Sequence, residues 1–341
     1  MHADIRPVPE PIPPSGSALP TGPTPATRSG LPAGSASTSG SALPAGSASR
    51  RPGSLLPGLP TGDEHELYEG YRRLREEYPL SYDASVGAWL LSRYRDVATA
   101  LTDLRFTHGH RPGDVGCAAH LAPVPHALRE TVQRTAYVLA RRIAGREEAD
   151  LVEEYCRWLP SGAVGARGST TGRALLAGRC VSQISVREKA LASFFANLLD
   201  HPIRLAAQRA EPQLIARAWT ESLRRDPPVL VVIRRTTAEV TLSGGTLPAG
   251  AAVACLIGAA GRDPERFHDP DRFDPLRSDP GQLTYGLGEC PAVELAAMEA
   301  EYGLRALIEA MPRLRWADGF RPVASGLITR SPKALLVRPR G

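Results

Sequence analysis

The chain has 341 residues, of which 42% are hydrophobic, and a formal net charge of +5. That is enough for one large domain or two small ones with a real core, and no apolar run is long enough to span a membrane. Five irregularly spaced cysteines, with no CxxC and no Cys/His cluster, argue against a disulfide framework or a zinc site.

Reduced thiols and the lack of a charged leader with an apolar stretch set the expected location as cytoplasmic. The charge excess is mild, and part of it lies in the first sixty-one residues, where Arg6, Arg28, Arg50 and Arg51 face Asp4 and Glu10. No basic run with interleaved aromatics points to nucleic acid, whereas a basic face that docks an acidic redox protein fits the balance.

Residues 1–61 are rich in Pro, Gly, Ser, Ala and Thr, and Leu31-Pro-Ala-Gly-Ser-Ala-Ser37 recurs at Leu43 to Ser49. Such a segment buries too little apolar surface to offset its ordering entropy, so a disordered low-complexity extension is expected there. Order should begin near Asp63. Glu64 to Tyr78 predicts a helix with Leu67, Tyr71 and Leu74 on one face. Leu80 to Ser92 predicts two short strands around a turn at 85–87, and Arg95 to Leu101 a second helix. A Pro/Gly/His-rich loop covers 108–125; its His108 and His110 are read as a solvated pair. Arg129 to Ile143 predicts a helix with Val132, Ala136, Leu139, Ala140 and Ile143 toward a core. Another helix is expected around Ala149–Leu159, stopping at Pro160.

A glycine-rich stretch, 161–172, comes next. Glu211 to Arg224 then predicts a helix that stops before Pro227 and Pro228, with Glu221 and Arg224 three apart on one face. Val229 to Leu242 reads as a strand running into a turn at Gly244 and Gly245. Near the end, Tyr285-Gly-Leu-Gly-Glu-Cys290-Pro291 sets a cysteine between a glycine turn and a helix start. A thiolate at a helix N-terminus is favoured by the dipole and by unpaired backbone N–H groups, and it is a good axial ligand for haem iron.

From Cys290 the pattern Cys-Pro-Ala-x-x-Leu-Ala-x-x-Glu, ending at Glu299, resembles the cysteine-ligand loop and following helix of the cytochrome P-450 family, bacterial type. The resemblance implies a mainly α fold with small β-sheets. It also implies haem b as cofactor, with Cys290 as the axial ligand of the iron. Arg234 stands where the family usually has an arginine that pairs with a haem propionate. Glu221 and Arg224 match the family's Glu-x-x-Arg pair, with Arg272 of the Phe267–Phe273 segment as the expected third member of a structural charge triad. The implied chemistry is insertion of one oxygen atom of O2 into a small hydrophobic substrate. Electrons would come from a ferredoxin and its reductase, with no nucleic acid or membrane involved.

The sequence also departs from the family pattern. Glu289 alone separates Gly288 from Cys290, where the family has a longer spacing with a basic residue. In the haem-crossing helix, expected from Ala174 onward, Cys180 and Val181 stand in place of an acid and an alcohol. The helices that normally roof the substrate pocket have no counterpart near 161–173, so residues 62–341 are read as a haem domain with an internal deletion. Two expectations therefore stand: a working haem-thiolate monooxygenase, or a degenerate remnant with weak or no haem binding and no catalysis.

Overall fold

The computed structural model describes residues 64–107, 126–164, 181–279, 281–284 and 291–341. All of them belong to one compact unit spanning Pro52–Gly341. The expected extension 1–61 and the loop 108–125, with His108 and His110, lie outside the described residues.

One half of the fold is built on a sheet. Helix α1 (Glu64–Glu77) buries Leu67, Tyr71 and Leu74, the stripe that its 3–4 spacing predicts. Strands β1 (Leu80–Asp83) and β2 (Ala88–Leu91) pair antiparallel about a turn whose Gly87 has φ +67°, a conformation that favours glycine. Helix α2 (Tyr94–Thr102) and the short strand β3 (Phe106–Thr107) follow. With β5 (Val231–Thr236) and β8 (Ala252–Leu256) they complete a sheet of order β1-β2-β8-β5-β3, in which only the β2–β8 pair is parallel.

Period-two alternation divides the apolar residues of this sheet between its faces. Leu91, Val253 and Cys255 pack with Val97 and Ala100 of α2. Leu90, Ala254 and Leu256 pack with the buried stripe of α1.

The other half is helical. Helix α3 (His126–Ala144), a π-helical turn (Val152–Cys156), α4 (Trp158–Val164), α5 (Val181–Leu199), α7 (Leu214–Arg225) and α9 (Pro291–Ala310) share a single core. The short helix α6 (Pro202–Ala210) packs at the end of α5, and a single turn, α8 (Ile257–Ala260), follows β8. Ala136 and Ala140 on α3 and Gly303 on α9 keep the approach close; a Cβ at Gly303 would sit 3.0 Å from Leu159. The Tyr155 hydroxyl reaches both helices, to the Gly303 carbonyl at 2.9 Å and the Ala136 carbonyl at 3.2 Å. Short sheets finish the fold: β4 (Ala149–Asp150) with β12 (Leu336–Arg338) and β9 (Arg315–Trp316), β6 (Val240–Leu242) with β7 (Gly245–Leu247), and β10 (Ala324–Ser325) with β11 (Ser331–Pro332). Among the described residues no helix is long and apolar enough to cross a membrane.

Two expectations change. Residues 149–159 do not form one helix ended by Pro160. Ala149 and Asp150 are drawn into a strand by β12, and Pro160 is the third residue of α4. In the first helical turn its missing N–H costs no hydrogen bond. The strand expected over 229–242 is also two strands, broken by a bend at 237–238 where β5 leaves the main sheet.

Candidate functional site

The Glu221–Arg224 pair is the best-anchored polar feature on the described residues. Their side chains are 1% and 0% exposed, and the guanidinium grips the carboxylate with two 2.8 Å bonds, Nε to Oε2 and Nη2 to Oε1. The remaining donors reach across to a long loop: Nη1 to the carbonyls of Gly261 (2.6 Å) and Pro270 (2.8 Å), and Nη2 to that of Arg272 (3.2 Å). Glu221 in turn accepts the backbone N–H of Asp274 at 2.9 Å. One surface-to-loop pairing would stabilise little; this one satisfies buried backbone groups over 261–274 and so fixes the loop's path.

The third arginine of the cluster is Arg277, whose Nε lies 3.4 Å from Glu221 Oε2, and not Arg272. Phe273 is buried in the helical core, which turns the adjacent Arg272 side chain out to solvent; only its carbonyl takes part. Asp274-Pro-Leu-Arg277 carried no helical or strand period that would have singled Arg277 out.

The chain then approaches the cysteine loop. Leu283 is buried beside the sheet, and the Thr284 hydroxyl donates to the Leu223 carbonyl of α7 at 2.9 Å. The loop 285–290, with Cys290 and Glu289, lies outside the described residues; α9 begins at Pro291, the next residue. Cys180 also lies outside them. Val181 and Ser182 are the first residues of α5, with their side chains undescribed.

Helix α9 carries the end of the cysteine motif into the core. Leu295 and Ala296 are buried, and Glu294 in its first turn pairs with Arg129 of α3 at 2.8 Å. Glu299, 0% exposed, accepts a 2.9 Å bond from Arg187 Nε of α5. Burial pushes the Glu299 carboxyl up to about 7, and Arg187 pulls it only part of the way back. This link joins α5 to α9. Sequence reading missed it because the partners are 112 residues apart.

Arg234 is buried and its neighbour Arg235 is exposed. Arg234 Nη1 donates to the Ile233 carbonyl at 3.0 Å, and among the described residues no carboxylate pairs with it. Burial pushes its pKa down, as expected for a desolvated cation without a counter-charge. A haem, with its two propionates, would supply the anion that this guanidinium lacks. The residues present therefore fit the group, by the chemistry of a donor left without an acceptor. Among the described residues no group of three His, Cys, Asp or Glu side chains is placed to hold a metal ion.

A sequence model described as cytochrome P-450 matches residues 207–291, the stretch that contains the Glu221–Arg224 lock, Arg234 and Cys290. Cytochrome P-450 107B1 of Saccharopolyspora erythraea is 42% identical over 124 residues. Over this stretch the chain carries the sequence pattern of the cytochrome P-450 family. Pulcherriminic acid synthase of Bacillus subtilis is 33% identical over 162 residues, 44% of this chain and 40% of that protein. The 107B1 match covers 36% of this chain and 31% of that protein, so the chain spans about a third of the length of the curated relatives it matches. Among solved structures, CYP109E1 of Bacillus megaterium in complex with corticosterone superposes with a TM-score of 0.70. That match has 20% identity and covers 80% of this chain and 98% of the other. The cytochrome P-450 enzyme CYP109B1 of Bacillus subtilis gives 0.68 at 18% identity, over 80% and 98%. The mainly α cytochrome P-450 fold with small sheets is thereby shown, and haem iron is the cofactor of the family.

Proposed function

We propose that this chain is a haem-thiolate monooxygenase that inserts one oxygen atom of O2 into a small organic substrate, with electrons from a ferredoxin and its reductase in the cytoplasm. The observation that supports this reading is the start of α9, a helix packed into the core, at Pro291, the residue that follows Cys290 in the sequence. There the helix dipole and free backbone N–H groups favour the thiolate form, and Cys290 is assigned as the axial ligand. Haem bound to such a thiolate supplies dioxygen activation, because the sulfur's electron density assists O–O cleavage.

The other residues position and neutralise. Arg234 is assigned to hold a propionate. The Glu221–Arg224 lock and the Thr284–Leu223 bond hold the chain at 261–274 and at 284, ahead of the loop that contains Cys290. Residues 62–341 are assigned as the haem domain and 1–61 as an extension. Sixteen residues, 165–180, separate α4 from α5, too few for several further helices; this supports the reading of a shortened pocket roof.

Reduction of the reconstituted protein under carbon monoxide tests the assignment. We expect a Soret band shifted far to the red in the difference spectrum, lost in Cys290→Ser, with haem affinity weakened in Arg234→Met. Failure of the chain to take up haem would instead identify a remnant that has lost its cofactor. A shifted band that persists in Cys290→Ser would remove the ligand assignment.

A further inference from the structure

Between the ends of α5 and α7, the β10–β11 hairpin and Tyr68 of α1 lies a cavity of about 100 Å³. Arg330, on the hairpin, lines it. The residue is 7% exposed, and among the described residues its buried Nη2 has no hydrogen-bond partner and its guanidinium no ion pair. Leaving a guanidinium unpaired out of water is costly, by several kcal/mol for a fully isolated charge, so an anion is the expected neighbour.

The acids nearby do not supply it. Asp226 is already committed to Arg225 (3.1 Å), Arg262 (2.8 Å) and Asn197 (2.9 Å). Burial works against the charged form of Asp226, yet Arg225 and Arg262 hold its pKa below the ordinary value. Asp200 is exposed to water and accepts the Trp316 indole N–H at 2.9 Å. The Tyr71 phenol near Arg330 is kept neutral by burial, which pushes it well above its usual range. The backbone at Arg330 is rigid, with its N–H bonded to the Pro228 carbonyl at 3.0 Å and Leu230 bonded back to Ile328 at 2.8 Å.

We propose that this cavity binds a small aliphatic carboxylate of two to four carbons, with Arg330 gripping the carboxylate. A planar fork matches a carboxylate better than a spherical ion. Three prolines in the wall, Pro227, Pro322 and Pro332, offer the alkyl end an apolar surface. The volume accommodates several waters or one anion of about four to six heavy atoms. The site is separate from the Cys290 assignment, and it stands whether or not haem is bound.

The test is a titration of the full-length protein with sodium acetate, ionic strength held constant with sodium chloride, followed by calorimetry and thermal midpoint. Wild type should bind acetate saturably. Arg330→Met, and Ala324→Leu, which fills the cavity and keeps the charge, should each bind at least tenfold more weakly. Without acetate, Arg330→Met should melt no lower than wild type, because it removes an unpaired buried charge. Absence of saturable binding, or equal binding by Arg330→Met, would overturn the proposal. So would a much lower midpoint for Arg330→Met in chloride alone, which would make Arg330 a structural residue. Saturable binding of inorganic phosphate without binding of acetate would overturn the carboxylate assignment.

Discussion

Arg187 and Glu299 form a buried pair with unused capacity on both sides: among the described residues Arg187 Nη2 and Glu299 Oε1 have no hydrogen-bond partner. Glu299 was visible in the sequence only as the last position of the cysteine motif; its partner was not, since nothing local in Val186-Arg187-Glu188 marks the arginine as inward. Because burial raises the Glu299 carboxyl from 4.5 to about 7 in the folded chain, the folded state holds that proton more tightly than the unfolded one. Its contribution to stability is thus fully present below about pH 4.5 and is lost as the pH rises through about 7. Urea unfolding should show wild type losing stability relative to Glu299→Gln between pH 5 and pH 8. Removing the arginine acts in the opposite sense. Arg187→Met leaves a buried carboxylate unpaired, costing roughly 3–5 kcal/mol at pH 8 and markedly less at pH 5, where the carboxyl is protonated. A cost for Arg187→Met that does not change with pH would refute this account.

Helix α7 shows what a sequence gives away and what it withholds. Glu221 and Arg224 were readable because an i,i+3 spacing forces both onto one face. Their loop partner was not, because the side a loop residue presents depends on which neighbour the core takes, and here the core takes Phe273. Pro160 misled for a related reason: a proline in a helix's first turn and one at its end look alike, and here α4 starts at Trp158, just after the π-helical turn Val152–Cys156. The three arginines around Glu221 should therefore differ sharply. Arg224→Met strands a buried carboxylate and several carbonyls of the 261–272 loop, and should cost about 3–5 kcal/mol. Arg277→Met loses one half-buried, 3.4 Å contact, and about 1 kcal/mol is expected. Arg272→Ala removes an exposed side chain whose carbonyl stays, so the change should be within about 0.5 kcal/mol. Chemical denaturation of the three variants checks the order; a larger loss for Arg272→Ala than for Arg277→Met would restore the triad expected from the sequence.

Over the molecule as a whole, the division into a sheet half and a helical half follows from patterns that the sequence displays. Alternation in β2 and β8 feeds two apolar layers, one covered by α1 and the other by α2. The position of the chain's first essential segment also follows. Leu67, Tyr71 and Leu74 of α1 cover Leu90, Ala254 and Leu256, and Arg75 Nη1 donates to the Ala259 carbonyl at 2.8 Å. Full burial of three such side chains is worth about 2 kcal/mol each. Their sum is comparable with the net stability of about 5–15 kcal/mol typical of a domain. A chain starting at Leu80 should therefore fail to fold cooperatively, whereas one starting at Pro52, the first residue of the compact unit, keeps all of these contacts. Its thermal midpoint should lie within about 2 °C of the full-length value, which for a domain of this size corresponds to less than about 1 kcal/mol. A drop of ten degrees on removing residues 1–51 would mean that this Pro/Gly/Ser-rich stretch covers apolar surface of the folded unit, contrary to what its composition allows.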